Sequence, residues 1–331
     1  MIVTLTANPS LDRTVGLTGP LERGRVHRTE RSTVDPGGKG INVARVLHAA
    51  TTEVVAVLPA NAGDPLLAAL DEQGIAHRAV PTSGPTRNNI TVAEPDGTTT
   101  KLNEPGTPCT GRTLGELRAV LLECAQGAAW TVLSGRCSLP PGVPESWYAD
   151  LVGALRGLGC RIAVDTSERP LLALAERFPA AAPDVIKPNS DELAQLTGAD
   201  AHELESGAAA GDVGAVVDAG RVLVERGVGA VLATLGGAGA VLVTATGAWR
   251  ATADDVTVRS TVGAGDSSLA GYLLAEQAGH TPDECLRLAV AYGTAAVTLP
   301  GTALPTPDSV DPSRVHVTDV HRRPRPLPSH S

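Results

Sequence analysis

The chain has 331 residues, a formal net charge of −9 and a mean hydropathy of +0.04. This length allows one large or two small domains, and because only 2% of the residues are aromatic, we expect Ala, Val and Leu to fill the core. The acidic balance and the lack of a basic patch interleaved with aromatic residues exclude a typical nucleic-acid partner. No run of about eighteen apolar residues and no signal peptide occurs, so we expect a cytoplasmic protein with no membrane partner.

The cysteines, histidines and lysines indicate which kinds of site the chain can contain. The five cysteines form no C-x-x-C pair, which indicates reduced thiols, and the eight histidines show no spacing that supports a zinc or histidine-based centre. Only three of the 27 basic residues are lysines: Lys39, Lys101 and Lys187. Such lysines are candidates for positions where a guanidinium cannot replace a compact ammonium, although chance retention is the alternative. Lys39 and Lys187 both lie in the motifs described below.

The first part of the chain alternates between strand and helix patterns. The predicted elements are strand 2–7, helix 41–50, strand 53–58, helix 65–73 and strand 77–80. The first strand ends at Asn8-Pro9, and a polar segment separates it from the first helix. Alternation of this kind is typical of α/β proteins.

A glycine-rich segment, Pro36-Gly37-Gly38-Lys39-Gly40, opens the first helix. It is not a Walker A loop, because Thr33 stands where that motif has its first Gly, and Gly40 replaces the Ser or Thr after the lysine. The glycines indicate that something approaches the backbone closely, with Lys39 and Asn42 directed at it. A simple glycine-rich turn is the alternative.

Residues 86–105 interrupt the alternation with a hairpin around the turn Pro95-Asp96-Gly97. Together with the polar segment 13–35, this hairpin predicts a small β-sheet that stands off the α/β body. Arg87 is a candidate for bidentate anion binding, and a solvated surface arginine is the alternative.

The alternation resumes at residue 112. The predicted helices are 112–126, 144–158, 170–177, one opening at 191, 215–226 and 282–299, and the predicted strands are 131–134, 161–165, 184–189, 230–235 and 240–244. The last helix opens with a capping box from Thr281 to Glu284. Repeated strand–helix units predict a mostly parallel sheet covered on both faces, with ligand-binding loops after the strand ends. The proline-rich, basic tail 321–331 is expected to be disordered.

Residues 261–268 combine two glycines with an acid between a β-rich run, 256–258, and an apolar-periodic helix. Glycine lets backbone N–H groups gather round an anion, and the helix dipole favours negative charge there. A carboxylate repels phosphate, so Asp266 needs a separate explanation. It is either an N-cap or a general base that takes a proton from a hydroxyl attacking a phosphoryl group.

A dinucleotide site is a weaker interpretation of the paired glycines. Leu242 follows Gly237-Ala238-Gly239, and Ser268 follows Gly263-Ala264-Gly265, at the place of the third Gly of G-x-G-x-x-G. Neither segment follows the first strand, so the sequence does not favour a Rossmann dehydrogenase.

Taken together, several motifs resemble the ribokinase-like (PfkB) sugar kinases. They are Asn8-Pro9 with Asp12, Gly37-Gly38-Lys39-Gly40-Ile41-Asn42-Val43-Ala44, Thr86-Arg87, Asn103-Glu104-Pro105-Gly106, Lys187-Pro188-Asn189 with Glu192-Leu193, Thr234-Leu235-Gly236, and Val262-Gly263-Ala264-Gly265-Asp266-Ser267. The resemblance implies one three-layer α/β/α kinase domain over residues 1–320, with a mostly parallel central sheet. It also implies a small β-sheet lid formed by segments 13–35 and 86–105.

The same resemblance implies a role for each matching residue. Asp266 matches the catalytic base, and the backbone of Gly263, Ala264 and Gly265 matches an anion hole. The residues that match substrate contacts are Asp12, Gly37, Gly38, Lys39, Asn42, Arg87, Asn103 and Ser138. Those that match nucleotide contacts are Lys187, Asn189, Thr234, Leu235, Gly236, Gly237, Ala238 and Gly239, and Glu192 matches a Mg²⁺ site reached through water.

The activity implied is ATP- and Mg²⁺-dependent phosphorylation of fructose 1-phosphate at its 6-hydroxyl, because the motifs are most similar to those of kinases of fructose 1-phosphate and tagatose 6-phosphate. Phosphorylation of tagatose 6-phosphate or of fructose 6-phosphate is the alternative within the family. A catalytically silent sugar-phosphate sensor on the same fold is the alternative outside enzymes. A homodimer formed through the lid is a further hypothesis.

Two departures from the family pattern lie near the expected substrate. Residues 134–140 (SGRCSLP) are two residues longer than the family run Ser-Gly-Ser-Leu-Pro, which leaves the role of Ser138 open. Glu168 stands where the family usually has Gly, so we expect an altered turn there.

Overall fold

In the computed structural model, which describes residues 1–135 and 139–320, two β-sheets organise the chain. The strands are β1 (Ile2–Thr6), β2 (Ser10–Leu17), β3 (Thr29–Gly37), β4 (Val54–Pro59), β5 (His77–Val80), β6 (Arg87–Ala93), β7 (Thr99–Asn103), β8 (Trp130–Ser134), β9 (Arg161–Asp165), β10 (Val185–Ile186), β11 (Ala230–Thr234), β12 (Ala240–Thr244), β13 (Ala248–Ala253) and β14 (Val315–Asp319). The α-helices are α1 (Lys39–Ala49), α2 (Pro65–Glu72), α3 (Gly111–Ala125), α4 (Trp147–Leu155), α5 (Glu168–Ala175), α6 (Ser190–Thr197), α7 (Ala201–Ala209), α8 (Gly214–Glu225), α9 (Ala264–Gln277) and α10 (Pro282–Val297).

The large sheet is mostly parallel, as predicted. Over the part of the chain that the structure describes, its strand order is β14-β13-β12-β11-β10-β9-β8-β1-β4-β5. The strands from β11 to β5 in this order pair in parallel, and β12, β13 and β14 add an antiparallel edge. Strands such as β1 and β12 are near-continuous apolar runs, as expected of strands that are covered on both faces.

Helices cover both faces of the large sheet, which gives three layers. Helices α1, α2, α9 and α10 bury apolar side chains against one face, and α3 to α8 do so against the other. Successive residues of a strand point to opposite faces, so Ile2 packs with the first group of helices while Val3 and Leu5 pack with the second. The predicted three-layer α/β/α architecture is therefore confirmed.

The small sheet has the strand order β3-β2-β6-β7. Its strands lie within residues 10–37 and 87–103, close to the predicted lid segments. Strand β2 pairs with β3 in antiparallel fashion and with β6 in parallel, and β6 and β7 form the predicted hairpin.

Residues paired directly across a sheet place their side chains on the same face. One face of the small sheet, here called the inner face, carries the rows Asp35–Asp12–Asn89–Asn103 and Thr33–Thr14–Thr91–Lys101. The intervening row, Val34–Arg13–Ile90–Leu102, belongs to the opposite face, here called the outer face. The inner face is thus polar, and the outer face is largely apolar.

Some predicted elements are absent or were missed. Residues 256–258 do not form a strand: the chain leaves the sheet after Ala253, and Val258 is 60% exposed. Strand β13 was missed because its burial does not alternate with a period of two. Helix α7 was missed because only Leu204 and Ala208 of its nine residues are buried. Strand β14 was missed as well, since it follows the last predicted helix.

Other sequence predictions concern single residues and the chain end. The four described cysteines are free thiols, as expected. No helix among the described residues combines the length and apolarity that a membrane span requires. The inserted Arg136-Cys137 and the tail 321–331 lie outside the described residues.

Candidate active site

A cleft of about 550 Å³ lies between the large sheet and the inner face of the small sheet. Its floor is formed where parallel strands end: Thr6 ends β1, Asp165 ends β9 and Thr234 ends β11. Loops at the carboxyl ends of parallel strands line the ligand crevice in open α/β sheets. A second cavity, of about 140 Å³ beside α10 and β13, shares no lining residue with this cleft.

The cleft brings together most of the residues singled out from the sequence. The predicted residues that line it are Asp12, Gly38, Lys39, Asn42, Arg87, Asn103, Lys187, Asn189, Glu192, Thr234, Gly263, Gly265 and Asp266. The predicted residues that do not line it are Gly37, Ala264, Leu235, Gly236, Gly237, Ala238 and Gly239, the last five forming the turn between β11 and β12. Their assigned contacts stay predictions. Ser138 lies outside the described residues.

Helix α9 begins with backbone N–H groups that have no helical partner. Gly263 is its N-cap and has a φ of 76°, which favours glycine. The first helical hydrogen bond runs from the N–H of Ser267 to the carbonyl of Gly263, at 2.8 Å. The N–H groups of Ala264, Gly265 and Asp266 come before it and have no acceptor within the helix. Together with the helix dipole, these groups favour an anion at this end of α9.

Asp266 is the third residue of α9 and is only 7% exposed. Its Oδ2 accepts a hydrogen bond from Nδ2 of Asn42, at 2.8 Å. The N-cap interpretation of Asp266 is therefore wrong, because Gly263 holds that position. Burial and the charge of Asp165 raise the pKa of Asp266 above its ordinary value, against the opposing charge of Lys39. A carboxyl group with a raised pKa in a cleft is typical of a general base.

Asp165 forms ion pairs with two of the three lysines. Its side chain is fully buried, with Oδ1 at 2.6 Å from Nζ of Lys39 and Oδ2 at 3.2 Å from Nζ of Lys187. Burial opposes ionisation, but the charges of Lys187 and Lys39 outweigh it and lower the pKa of Asp165. Burial likewise opposes the charge on Lys39, but Asp165 and Asp266 outweigh it and raise the pKa of Lys39. Asp165 and Lys39 are therefore both ionised at neutral pH.

Lys187 connects this cluster to the start of α9. A Cβ atom added to Gly265 would lie 3.1 Å from Nζ of Lys187, so the ammonium group lies directly beside the helix N-terminus. The positive charge of Lys187 thus adds to the anion site made by the backbone N–H groups. Asp165, which positions this lysine, was not among the predicted site residues. The signal for it was its place at the end of a predicted strand, where ligand loops gather.

The glycine-rich segment before α1 is approached by the protein itself. A Cβ atom added to Gly40 would lie 2.5 Å from Oγ1 of Thr6 and 2.7 Å from the carbonyl oxygen of Leu5. Glycine at this position therefore lets α1 pack against the end of β1. That packing places Lys39 and Asn42 in the cleft. The approach of a ligand to these glycines stays a prediction.

Asp12 is the centre of a polar cluster on the inner face. Its Oδ1 accepts hydrogen bonds from the hydroxyl of Ser10, at 2.7 Å, and from Nδ2 of Asn89, at 2.9 Å. Ser10 lies two residues before Asp12 on β2, and Asn89 is paired with Asp12 across the sheet on β6. Asn89 was not predicted as a site residue, although its position in the hairpin next to Arg87 was a usable signal.

Arg87 lines the cleft with most of its guanidinium already hydrogen-bonded. NH1 donates to Oδ1 of Asn89, at 2.8 Å, and to the carbonyl oxygen of Glu104, at 3.0 Å. Nε and NH2 donate to the carbonyl oxygen of Asn8, at 3.4 and 3.3 Å. Burial lowers the pKa of Arg87, against the charges of Asp12 and Glu104. Arg87 is therefore a positioned, partly buried cation, and the alternative of a solvated surface arginine is wrong.

The segment after β10 is held against the end of β11. The N–H of Thr234 donates to the carbonyl of Pro188, at 2.9 Å, and Asn189 forms a parallel bridge with Thr234. Asn189 and Glu192 form a reciprocal capping box at the start of α6. Burial raises the pKa of Glu192, although the hydrogen bond from the Asn189 backbone and the charge of Lys39 oppose it.

Glu192, the residue predicted to hold Mg²⁺ through water, lines the cleft. Across residues 1–135 and 139–320, no group of three His, Cys, Asp or Glu side chains is arranged to hold a metal ion. Mg²⁺ is commonly bound through one or two carboxylates together with water and substrate phosphates. Only Oε2 of Glu192 is used in the capping box, so this side chain fits a metal ion that a nucleotide brings with it.

Glu168 lines the cleft in a left-handed backbone conformation, with a φ of 55°. Glycine adopts this conformation without a steric cost, whereas other residues are strained in it. The residue that departs from the family pattern therefore keeps a backbone geometry that suits glycine.

The chain is similar in sequence and in fold to known proteins. The family described as "pfkB family carbohydrate kinase" matches residues 6–309. The 1-phosphofructokinase of Haloferax volcanii is 37% identical over 327 residues, which cover 98% of this chain and 100% of that protein. The 1-phosphofructokinase of Rhodobacter capsulatus is 36% identical over 311 residues, 93% of each protein. The crystal structure of phosphofructokinase-2 from Escherichia coli in complex with fructose-6-phosphate has a TM-score of 0.80 at 28% identity, and the match covers 91% of this chain and 95% of that one.

Proposed function

Because the chain belongs to the pfkB family of carbohydrate kinases, we propose that it transfers the γ-phosphoryl group of ATP to the 6-hydroxyl of fructose 1-phosphate. The products are fructose 1,6-bisphosphate and ADP. The observation that carries this proposal is the position of Asp266, a buried carboxyl group beside an anion-binding helix start. A protein that only binds a sugar phosphate gains nothing from negative charge at this position, which disfavours the sensor alternative.

Asp266 is assigned as the general base. Asn42 occupies Oδ2, which leaves Oδ1 for the sugar hydroxyl. In the proposed step, Oδ1 accepts the proton of the 6-hydroxyl while O6 forms a bond to the γ-phosphorus. The bond between that phosphorus and its bridging oxygen breaks, and ADP leaves. The base is needed because a primary alcohol is a poor nucleophile.

The start of α9 is assigned to binding the transferred phosphoryl group. The N–H groups of Ala264 and Gly265 donate to the moving phosphoryl oxygens, and Lys187 adds positive charge beside them. The nucleotide phosphates are assigned to Lys187, Asn189 and Thr234, with the turn of residues 235–239 continuing that side of the site. Glu192 would hold Mg²⁺ through water, and the ion would supply positive charge to neutralise these phosphates.

The sugar is assigned to the inner face of the small sheet. Oδ1 of Asp12 is occupied by Ser10 and Asn89, which leaves Oδ2 for a sugar hydroxyl. Arg87 is assigned to the phosphate that the sugar already carries. Closure of the small sheet over the sugar excludes water, which would otherwise accept the phosphoryl group.

The choice of fructose 1-phosphate is supported by the names of the two full-length relatives. Initial rates with ATP and Mg²⁺ on fructose 1-phosphate, tagatose 6-phosphate and fructose 6-phosphate test it, with ³¹P NMR to locate the new ester. We expect kcat/KM to be at least about tenfold higher for fructose 1-phosphate, since one well-placed group contributes about 1.4 kcal/mol or more. A preference for another sugar phosphate would contradict the substrate, and no ATP consumption with any of them would contradict the kinase activity.

We also propose that a second copy of the chain covers the outer face of the small sheet. Val34 is 44% exposed and Leu102 is 58% exposed, and both belong to the row that includes Ile90. Three of the four residues in this row are apolar and the fourth is Arg13, and exposed apolar side chains grouped on one sheet face are typical of a protein–protein interface. Two identical faces pack most simply as a two-fold symmetric dimer.

A further inference from the structure

All three lysines of the chain line one cleft. Lys39 and Lys187 were expected there from their motifs, but Lys101 carries no motif assignment and comes to the cleft through the fold. The other 24 basic residues are arginines, and among the described residues only Arg87 joins the lysines in lining the cleft. This unequal distribution points to a specific use of the ammonium group of Lys101.

Lys101 lies on the inner face of the small sheet, on the strand β7. It is paired with Thr91, and two residues further along the same strand Asn103 is paired with Asn89. Side chains two residues apart on a strand point to the same face at a spacing of about 7 Å. The long, flexible stem of Lys101 therefore extends over the wall of the cleft that contains Asp12 and Asn89.

The three other cations of the cleft are already paired with protein oxygens. Lys39 and Lys187 share the carboxylate of Asp165. Arg87 donates to two backbone carbonyls and to an amide oxygen. Lys101 is exposed and makes no hydrogen bond or ion pair within residues 1–135 and 139–320. Among the described residues of this cleft, Lys101 is therefore the cation whose hydrogen-bond donors are all unused.

The charge of the cleft requires such a cation. Six carboxylate side chains line it against four cationic ones, in the part of the chain that the structure describes. Two phosphorylated substrates must nevertheless enter it together. The anion site at α9, with Lys187, serves the nucleotide side, whereas the inner face offers Arg87 and Lys101 to a phosphate on the sugar.

From these contacts we infer that Lys101 binds the phosphate that the sugar substrate already carries, and so makes the enzyme select phosphorylated over unphosphorylated sugars. The inference rests on the proposed function, because it assigns a residue to the sugar phosphate of that reaction. An ammonium group donates up to three hydrogen bonds and approaches phosphate as a compact charge. Lys101 is a binding residue in this scheme and takes no part in proton transfer.

The test compares the wild type with Lys101→Met and with Arg118→Met. Methionine is unbranched, one atom shorter than lysine and uncharged, and Arg118 is an exposed residue of α3 that does not line the cleft, so it serves as the matched control. Calorimetry without nucleotide measures the binding of fructose 1-phosphate, and initial rates give KM for ATP and kcat/KM for unphosphorylated fructose. We expect Lys101→Met to weaken fructose 1-phosphate binding roughly 10- to 100-fold, as is usual for a hydrogen bond to a charged group. KM for ATP and kcat/KM for fructose should stay unchanged, and Arg118→Met should resemble the wild type.

Equal binding of fructose 1-phosphate by Lys101→Met and the wild type would overturn the inference alone and leave Lys101 a solvated surface residue. A wild type that binds tagatose 6-phosphate or fructose 6-phosphate instead would contradict the proposed substrate, and the same variants would then decide the role of Lys101 with that sugar. A wild type that binds none of the three would overturn both.

Discussion

Nδ2 of Asn42 donates a hydrogen bond of 2.8 Å to Oδ2 of Asp266, joining two residues that are 224 positions apart in the chain. Asn42 lies in α1 and Asp266 in α9, and both helices pack on the same face of the large sheet. The bond therefore fixes the carboxylate before a substrate arrives. It also favours the ionised form of the carboxyl group, because the amide donates to negative charge.

Removing this bond should change the pH dependence of the reaction. Only ionised Asp266 accepts a proton, so kcat/KM falls as the pH falls through its pKa, which lies above the ordinary value of 3.8. In Asn42→Ala the pKa of Asp266 rises further, and the acid limb of the profile should move to higher pH. We also expect kcat at the plateau to fall about tenfold, since an orienting hydrogen bond contributes ~1.5 kcal/mol. Rates from pH 5 to 9 measure both effects.

Ser267→Ala is the matched control for this profile. Ser267 is the neighbour of Asp266 in α9, and its buried hydroxyl has no partner among the described residues. The substitution removes a buried polar atom without touching the carboxylate, so the acid limb should stay where it is. An acid limb that moves equally in both variants would mean that general loosening of the site, rather than the bond from Asn42, sets the pKa.

Asp165 should contribute strongly to stability at neutral pH. Because its pKa is lower in the folded chain than in the unfolded one, its contribution is fully present above the ordinary value of 3.8 and is lost as the pH falls through the folded value. Asp165→Asn leaves Lys39 and Lys187 partly desolvated without their counter-ion. We expect the free energy of unfolding at pH 7 to fall by about 3–5 kcal/mol. Urea denaturation at pH 7 and at pH 3 measures the loss, which should shrink at the lower pH.

An exposed ion pair provides the comparison for Asp165. Arg78 and Glu123 contact each other at 3.2 Å, with about half of each side chain exposed. Water screens such a pair, so Glu123→Gln should leave the free energy of unfolding nearly unchanged. If Asp165→Asn lowered the free energy of unfolding no more than Glu123→Gln does, the two lysines would not depend on the buried carboxylate.

Replacing the strained residue at the cleft should stabilise the protein. Glu168 has a φ of 55°, in the region that costs other residues about 1–2 kcal/mol and glycine almost nothing. Part of that gain is offset by the entropy of glycine in the unfolded chain, so Glu168→Gly should raise the free energy of unfolding by about 0.5–1 kcal/mol. Arg169→Gly, one position further into α5, should lower it by about 1 kcal/mol. Destabilisation in both variants would show that the backbone at Glu168 is not strained.

The outer face of the small sheet predicts the state of assembly. We expect the wild type to have twice the chain mass of 33.7 kDa in light scattering, and Leu102→Glu to have the mass of a single chain. The reason is that a glutamate in the row of Val34 and Ile90 would place an unpaired charge in the dimer interface, away from water. Thr99→Glu, on the inner face of the same strand, should remain a dimer. A wild type of single-chain mass would contradict the proposed dimer.

The sequence predicted the elements and motifs that are determined by residues close together in the chain. The capping box at Thr281, the strand–helix alternation and the glycine turn before Asp266 were all predicted and are present. Strand β13 was not predicted, and the strand predicted at residues 256–258 is absent. Whether such a segment forms a strand depends on which neighbouring strand is available for pairing.

The pairings within the site were not predictable in the same way. Asp165 meets Lys39 across 126 positions of chain, because the ends of separate parallel strands and the start of α1 converge at one edge of the sheet. Lys101 comes to the cleft only through the register of the small sheet. The motifs therefore predicted which residues lie in the site, and the strand order determines which of them contact each other.

The most direct test of the account is single-turnover phosphoryl transfer by Asp266→Asn, with ATP, Mg²⁺ and fructose 1-phosphate at saturation. Asparagine keeps the shape of the side chain and still accepts the bond from Asn42, so the free energy of unfolding should not decrease. We expect the rate to fall by about 10²- to 10⁴-fold, the usual contribution of a general base. A variant that folds normally and keeps more than about a tenth of the wild-type rate would contradict the assignment of Asp266 as the base.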